Sequence, residues 1–129
     1  MNREIKFRGK SIMNNTCGDW LYSSGIKYGD DVELMYCDED TSEEWNYIDK
    51  ETLGQYTGLD DKNGKEIYVG DILKSIQWND IYLVKHIGTA YYLCRKGKNG
   101  FNKRTTWNNA EKSEVIGNIY DNPELLGGE

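Results

Sequence analysis

Asp61-Lys62-Asn63-Gly64-Lys65-Glu66-Ile67-Tyr68-Val69-Gly70-Asp71-Ile72-Leu73-Lys74-Ser75-Ile76 is the stretch that decides the fold class of this 129-residue chain. Asn63-Gly64 supplies the positive φ that a tight hairpin turn requires. Glu66 to Val69 reads as a strand, Gly70-Asp71 interrupts it, and Ile72 to Ile76 resumes. A glycine inside a strand pattern marks a bulge or a sharp corner, which here signals a small barrel.

The same punctuation continues on both sides. Fourteen Gly against a single Pro separate short apolar-polar segments, the pattern of many strands joined by tight turns. On the N-terminal side, Glu4-Ile5-Lys6-Phe7 alternates as an opening strand with Ile5 and Phe7 on one face. Trp20-Leu21-Tyr22 and Val32-Glu33-Leu34-Met35-Tyr36 read as two more strands, and Thr52 to Tyr56 leads into the central hairpin. Asp38 to Glu44 has no apolar member, so it reads as a solvated loop or the first turn of a short helix.

On the C-terminal side, Ile81 to Ile87 and Ala90 to Cys94 form a hairpin pair around Gly88-Thr89; their β-branched and aromatic content favours strand over helix. Val115 to Tyr120 closes the series, and Asn122-Pro123 is placed as cap and first residue of a final 3₁₀ turn. The expected fold is therefore all-β with little helix: one domain over 1–129, with an N-terminal β extension over 1–50 and a small SH3-like or irregular β-barrel over 51–126. Ten Tyr, four Trp and two Phe make the core aromatic-rich.

No run of about 18 apolar residues is present to span a bilayer, and the first residues lack the apolar core of a secretory signal. The expectation is a cytoplasmic protein without membrane association. Cys17, Cys37 and Cys94 are odd in number and widely spaced, which fits reduced, partly buried thiols better than a disulfide framework. The net charge of −6 conceals polarity along the chain. Residues 30–51 hold ten acids and one Lys, whereas residues 95–104 hold five bases and no acid.

Three blocks resemble the YopX family of phage and prophage proteins: Arg3-Glu4-Ile5-Lys6-Phe7-Arg8, the long segment from Gln55 to Leu73, and Val115 to Leu126. The resemblance implies a mainly β phage or prophage protein. It brings no catalytic residues, and the residues of its central block read as turn and core positions: Gly58, Gly64 and Gly70 at turns, Ile67, Tyr68 and Ile72 toward a core.

Chemical motifs fare poorly. Gly58 to Glu66 has one residue too many between its glycines for a phosphate loop, and Glu66 stands where Ser or Thr should meet magnesium. A calcium loop through Gly64 would begin at Leu59 and end at Gly70, without the required oxygen ligands, and the Asp38–Glu44 run has Glu43 where such a loop needs Gly. Cys17, Cys37, His86 and Cys94 lack zinc-ligand spacing. His86 is the single His; alternation puts it on the face of Tyr82 and Val84, which reads as a half-buried structural imidazole, and Ser23 lacks the first glycine of a nucleophile elbow.

The sequence thus assigns no catalytic residue, no metal and no cofactor. It reads as a non-enzymatic accessory protein acting through protein contacts, and open strand edges admit homo-oligomerisation. The alternative is single-stranded nucleic-acid binding by the basic hairpin 95–104, through Arg95, Lys96, Lys98, Lys103 and Arg104 with Tyr92 and Phe101 as stacking rings. The competing reading of that hairpin is a charged, solvated turn built on Asn99-Gly100.

Overall fold

The computed structural model describes residues 5–14, 17–37, 43–75, 80–87, 90–97, 100–105 and 108–126. The chain forms two compact units, Met1–Tyr56 and Thr57–Glu129. Its described strands make three antiparallel sheets, none of which closes into a barrel.

The first unit begins with β1 (Phe7–Lys10), β2 (Trp20–Ser23), β3 (Ile26–Tyr28), β4 (Val32–Cys37) and β5 (Glu43–Ile48). A 3₁₀ turn at Lys50–Thr52 leads into β6 (Gly54–Asp60). Here β1 pairs antiparallel with β2 and with the first residues of β6, while β4 lies between β3 and β5. Val32, Leu34 and Ile48 form the buried centre, with Phe7, Leu21, Ile26 and Leu53 packed around them. A Cβ at Gly9 would collide with Ile48, so only glycine admits this approach of β1 to the β5 side chain.

Two expectations shift here. The opening strand starts at Phe7, Ile5 is exposed, and Glu4 lies outside the described residues. The ladder on the β6 side still reaches Lys6, whose carbonyl accepts from the Tyr56 N–H. In the acidic run, Glu43 and Glu44 belong to β5 and stand opposite Cys37 and Tyr36, while 38–42 lie outside the described residues. Pairing to β4 overrides the local charge preference, because alternate positions of β5 are those that bury Ile48 and place Trp45 and Tyr47.

The second unit takes the rest of β6 with β7 (Glu66–Tyr68), then β8 (Asp71–Ser75), β9 (Ile81–Ile87), β10 (Ala90–Gly97) and β11 (Gly100–Thr105). A single helical turn α1 (Asn108–Glu111), β12 (Ser113–Asn118) and a 3₁₀ turn at Pro123–Leu125 complete it. Strands β8 to β12 form one sheet in the order β11-β10-β9-β8-β12. Both faces of that sheet are covered. On one, Leu73, Tyr82, Val84 and Leu93 meet Ile67 and Ala110; on the other, Ile72, Leu83 and Cys94 meet Ile119, Leu125 and Leu126. Double coverage explains the unbroken apolar run Ile81 to Val84, which by periodicity alone resembles a helix segment.

The Gly70 corner is real, but it joins two sheets instead of closing one. Gly70 N–H donates to the Val84 carbonyl, the Gly70 carbonyl accepts from Ile119 N–H, and Asp71 Oδ2 accepts from Tyr68 N–H at 2.8 Å. The chain thereby leaves β7 and enters the five-stranded sheet, whose outermost strands β11 and β12 do not pair with each other. A local corner signal cannot say whether the two ends of a sheet will meet; that depends on strand number and stagger.

Candidate recognition surface

The central hairpin is a folding device. Asp61 is only 6% exposed. Its Oδ1 accepts from the N–H groups of Asn63 at 2.8 Å and Lys65 at 2.9 Å, and its Oδ2 accepts from Val115 N–H at 2.9 Å. Gly64 adopts φ +81°, the positive value expected of it. The turn's own N–H groups, which a phosphate would need, are thus taken by the Asp61 carboxylate, and the same carboxylate ties the turn to β12. Lys62 N–H adds a bond to the Ser113 carbonyl.

At the C-terminal block, Asn118 Oδ1 accepts from Tyr120 and Asp121 N–H groups, and Asn122 Oδ1 accepts from Asn118 N–H. Asn122 precedes the 3₁₀ turn as expected, though its side chain makes no capping bond there. It caps backward, onto β12.

The basic segment 95–104 forms the anticipated hairpin between β10 and β11, with Arg95 opposite Lys103 and Cys94 opposite Arg104. Arg95 is exposed, but Tyr92 is half-buried and packs into the core face that holds Cys94 and Leu83. Lys98 and the turn residue Asn99 lie outside the described residues, as do the side chains of Lys96, Phe101, Lys103 and Arg104.

His86 keeps the predicted face but not the predicted burial. It is exposed, standing opposite Tyr91 with ring centroids 5.0 Å apart. The apolar cluster on that face ends at Val84 and Leu93, one step short of this pair. Cys94 is buried in the cluster of the other sheet face, so the two do not form a thiol-imidazole pair. Cys17, expected to be partly buried, is exposed, because it follows β1 in a turn whose Gly18 N–H bonds to the Ser11 carbonyl. The Cys37 side chain lies outside the described residues. Burial raises the Tyr82 phenol above its usual range, reinforced by the Asp80 charge.

The exposed apolar surface gathers elsewhere. Among the described side chains, the exposed large hydrophobics are Ile5, Ile12, Tyr22, Tyr28 and Tyr47, all in the first unit. The outward face of the β3-β4-β5 sheet carries Lys27, Glu33 and Tyr47 in one cross-strand row, with Met35 opposite Trp45 beside it. Lys27 Nζ sits 4.3 Å from the Trp45 ring centroid, and Lys50 Nζ 4.8 Å from that of Tyr28. Ile12 adjoins through its N–H bond to the Tyr47 carbonyl.

A second cation-aromatic arrangement lies on β1. Arg8 and Lys10 stand 4.6 and 5.5 Å from the Trp20 ring, and Lys6 stands 5.6 Å from the Tyr56 ring. Sequence reasoning missed both surfaces. The available signal was alternation: Trp45 and Tyr47 along β5, and Lys6, Arg8 and Lys10 along β1.

By fold this is a small protein of antiparallel sheets, and among its described residues no group of three or more His, Cys, Asp and Glu side chains is placed to hold a metal. Nor is any described helix long and apolar enough to cross a membrane. The family model described as YopX protein matches residues 6–127, and the chain belongs to that family. A solved structure, that of protein EF1440 from Enterococcus faecalis, shares the fold: 21% identity, 97% of this chain and 99% of that chain covered, TM-score 0.51. No curated protein matches.

Proposed function

We propose that this YopX protein is a non-catalytic phage or prophage accessory protein that works in the host cytoplasm by binding another protein. The observation that supports this reading is the concentration of exposed Tyr and Ile side chains on the first unit, beside half-buried Trp45 and Met35. Tyr and Trp on an open sheet face give large contact area at little conformational cost, the composition of interface centres. Lys27 and Glu33 in the same row supply the polar fixing points.

The test is affinity capture from host cells with the wild-type chain and with a Tyr47→Ser variant. A protein recovered in stoichiometric amount by the wild type and lost from the folded variant is the expected result. Equal recovery by both would remove the β3-β4-β5 face from consideration. Sedimentation of the free chain over a concentration series reports whether a second copy is the partner.

A further inference from the structure

We propose that the open edge of β3 is where the partner docks: an extended, acidic segment of another protein adds as a further strand beside Ile26–Tyr28, with a carboxylate opposite Lys27. This deepens the protein-binding reading above and rests on it. The register carries the argument. Met35 N–H donates to the Gly25 carbonyl at 3.0 Å, and Ile26, Lys27 and Tyr28 stand opposite Leu34, Glu33 and Val32. In an antiparallel pair, bonded and non-bonded positions alternate. Lys27 therefore turns its N–H and carbonyl toward β4, while Ile26 and Tyr28 turn theirs outward.

The two edges of this sheet differ. On β5, the Tyr47 carbonyl accepts from Ile12 N–H, Ile48 bridges to Ser11, and Asp49 N–H donates to the Lys10 carbonyl. The chain itself continues the ladder there. On β3, the described strands supply β4 alone, so the outward groups of Ile26 and Tyr28 form the rim of the sheet. Lys27, the residue type that ordinarily guards an edge, is drawn back across β4, its Nζ 4.3 Å from the Trp45 ring.

Packing and charge select the occupant. Ile26 packs against the Val32, Leu34 and Ile48 cluster, and Tyr28, two residues on and so on the same face, is 66% exposed. Apolar residues at alternate positions of an added strand extend the cluster past both. Between them, the residue opposite Lys27 meets a cation. A second cation closes the end of the edge, where Lys50 Nζ donates to the Gly29 carbonyl at 3.0 Å; Asp30 and Asp31 lie beyond that end. A second copy of this chain is disfavoured, because the two-fold register that uses both Ile26 and Tyr28 sets Lys27 against its own copy. Strand addition of this kind draws affinity from the main chain and specificity from alternate side chains.

The probe is a capped synthetic strand, Thr-Val-Glu-Val-Thr, with Thr-Val-Lys-Val-Thr as its charge-reversed counterpart. Each is titrated to about 1 mM into the isotope-labelled full chain and followed by amide resonances. Saturating shifts and slowed exchange are expected at the Ile26 and Tyr28 amides, with little change at Lys27, whose N–H already bonds β4. The counterpart is expected to bind about fivefold more weakly. Tyr28→Pro deletes an outward donor and is expected to weaken binding about tenfold, whereas Tyr28→Thr keeps that N–H and changes it by under about threefold. Dispersed amide spectra establish that each variant is folded. No shift with either probe, shifts away from β3, equal affinity for the two probes, or undiminished binding by Tyr28→Pro would each overturn the assignment. So would self-association of the free chain through β3 in sedimentation. Host-protein capture lost in Tyr47→Ser but kept in Tyr28→Pro overturns the edge and leaves the outward face standing. Capture unchanged in both removes the protein-binding reading, and the edge with it.

Discussion

The five-stranded sheet of the second unit is buried on both faces, whereas the three-stranded sheet of the first is buried on one and keeps Trp45, Tyr47 and Met35 on the other. That difference separates residues that specify the fold from residues free to recognise a partner. Where both faces pack, alternation along the central strands yields two cores. Where one face packs, alternation yields one core and one surface, and large side chains on that surface have no folding role to explain them.

The contrast is open to direct attack. Asp61→Ala should have the largest effect, because it removes a buried carboxylate and leaves the N–H groups of Asn63, Lys65 and Val115 without their acceptor. A loss of about 4 kcal/mol is expected by urea denaturation, since hydrogen bonds to a charged group contribute about 1.5–3 kcal/mol each and do not add fully. Little change would mean that the hairpin is held by its strands alone.

Leu73→Ala, at a fully buried position of the doubly covered sheet, should cost about 3 kcal/mol, against under about 1 kcal/mol for Met35→Ala on the open face of the first unit. Equal costs would erase the distinction between the two sheets. Gly9→Ala should cost about 2 kcal/mol, because the new methyl group meets Ile48 in the core of the first unit. A neutral result would show that Ile48 can change rotamer freely.

Smallest of all, Tyr47→Ser should move stability by less than about 0.5 kcal/mol while altering partner capture. Thermal melts and capture of the same preparations check both halves of that statement. A large loss of stability would reassign Tyr47 to the fold.

How much of this was legible beforehand depends on how local the cause is. The turn at Asn63-Gly64, the corner at Gly70, the hairpin at 95–104 and the 3₁₀ turn at Pro123 each rest on a few adjacent residues with a defined backbone preference, and each is found where it was read. Strands β3 and β5 were not legible. Ile26–Tyr28 is too short to show a period, and Glu43-Glu44 argues locally for solvent. Both are strands because β4 offers them a ladder.

The burial of His86 was misjudged for a related reason. Alternation assigns a face, but the extent of coverage along that face is decided by what packs there, and the cluster of Val84, Leu93 and Ala110 stops before it. Tyr92 shows the reverse: a ring that composition offered to a ligand is half-committed to the cluster of Leu83 and Cys94.

By itself, then, the sequence determined the strand-rich class, the turn positions and the YopX family, since these follow from backbone preferences and from motifs contiguous in the chain. Only the tertiary structure decided that the sheets remain open, that Asp61 reaches from its own turn to Val115, and that Lys6, Arg8 and Lys10 lie beside Trp20, Tyr22 and Tyr56. Each of these joins residues far apart in sequence, and the free energy that brings them together comes from cores whose composition the local pattern does not reveal.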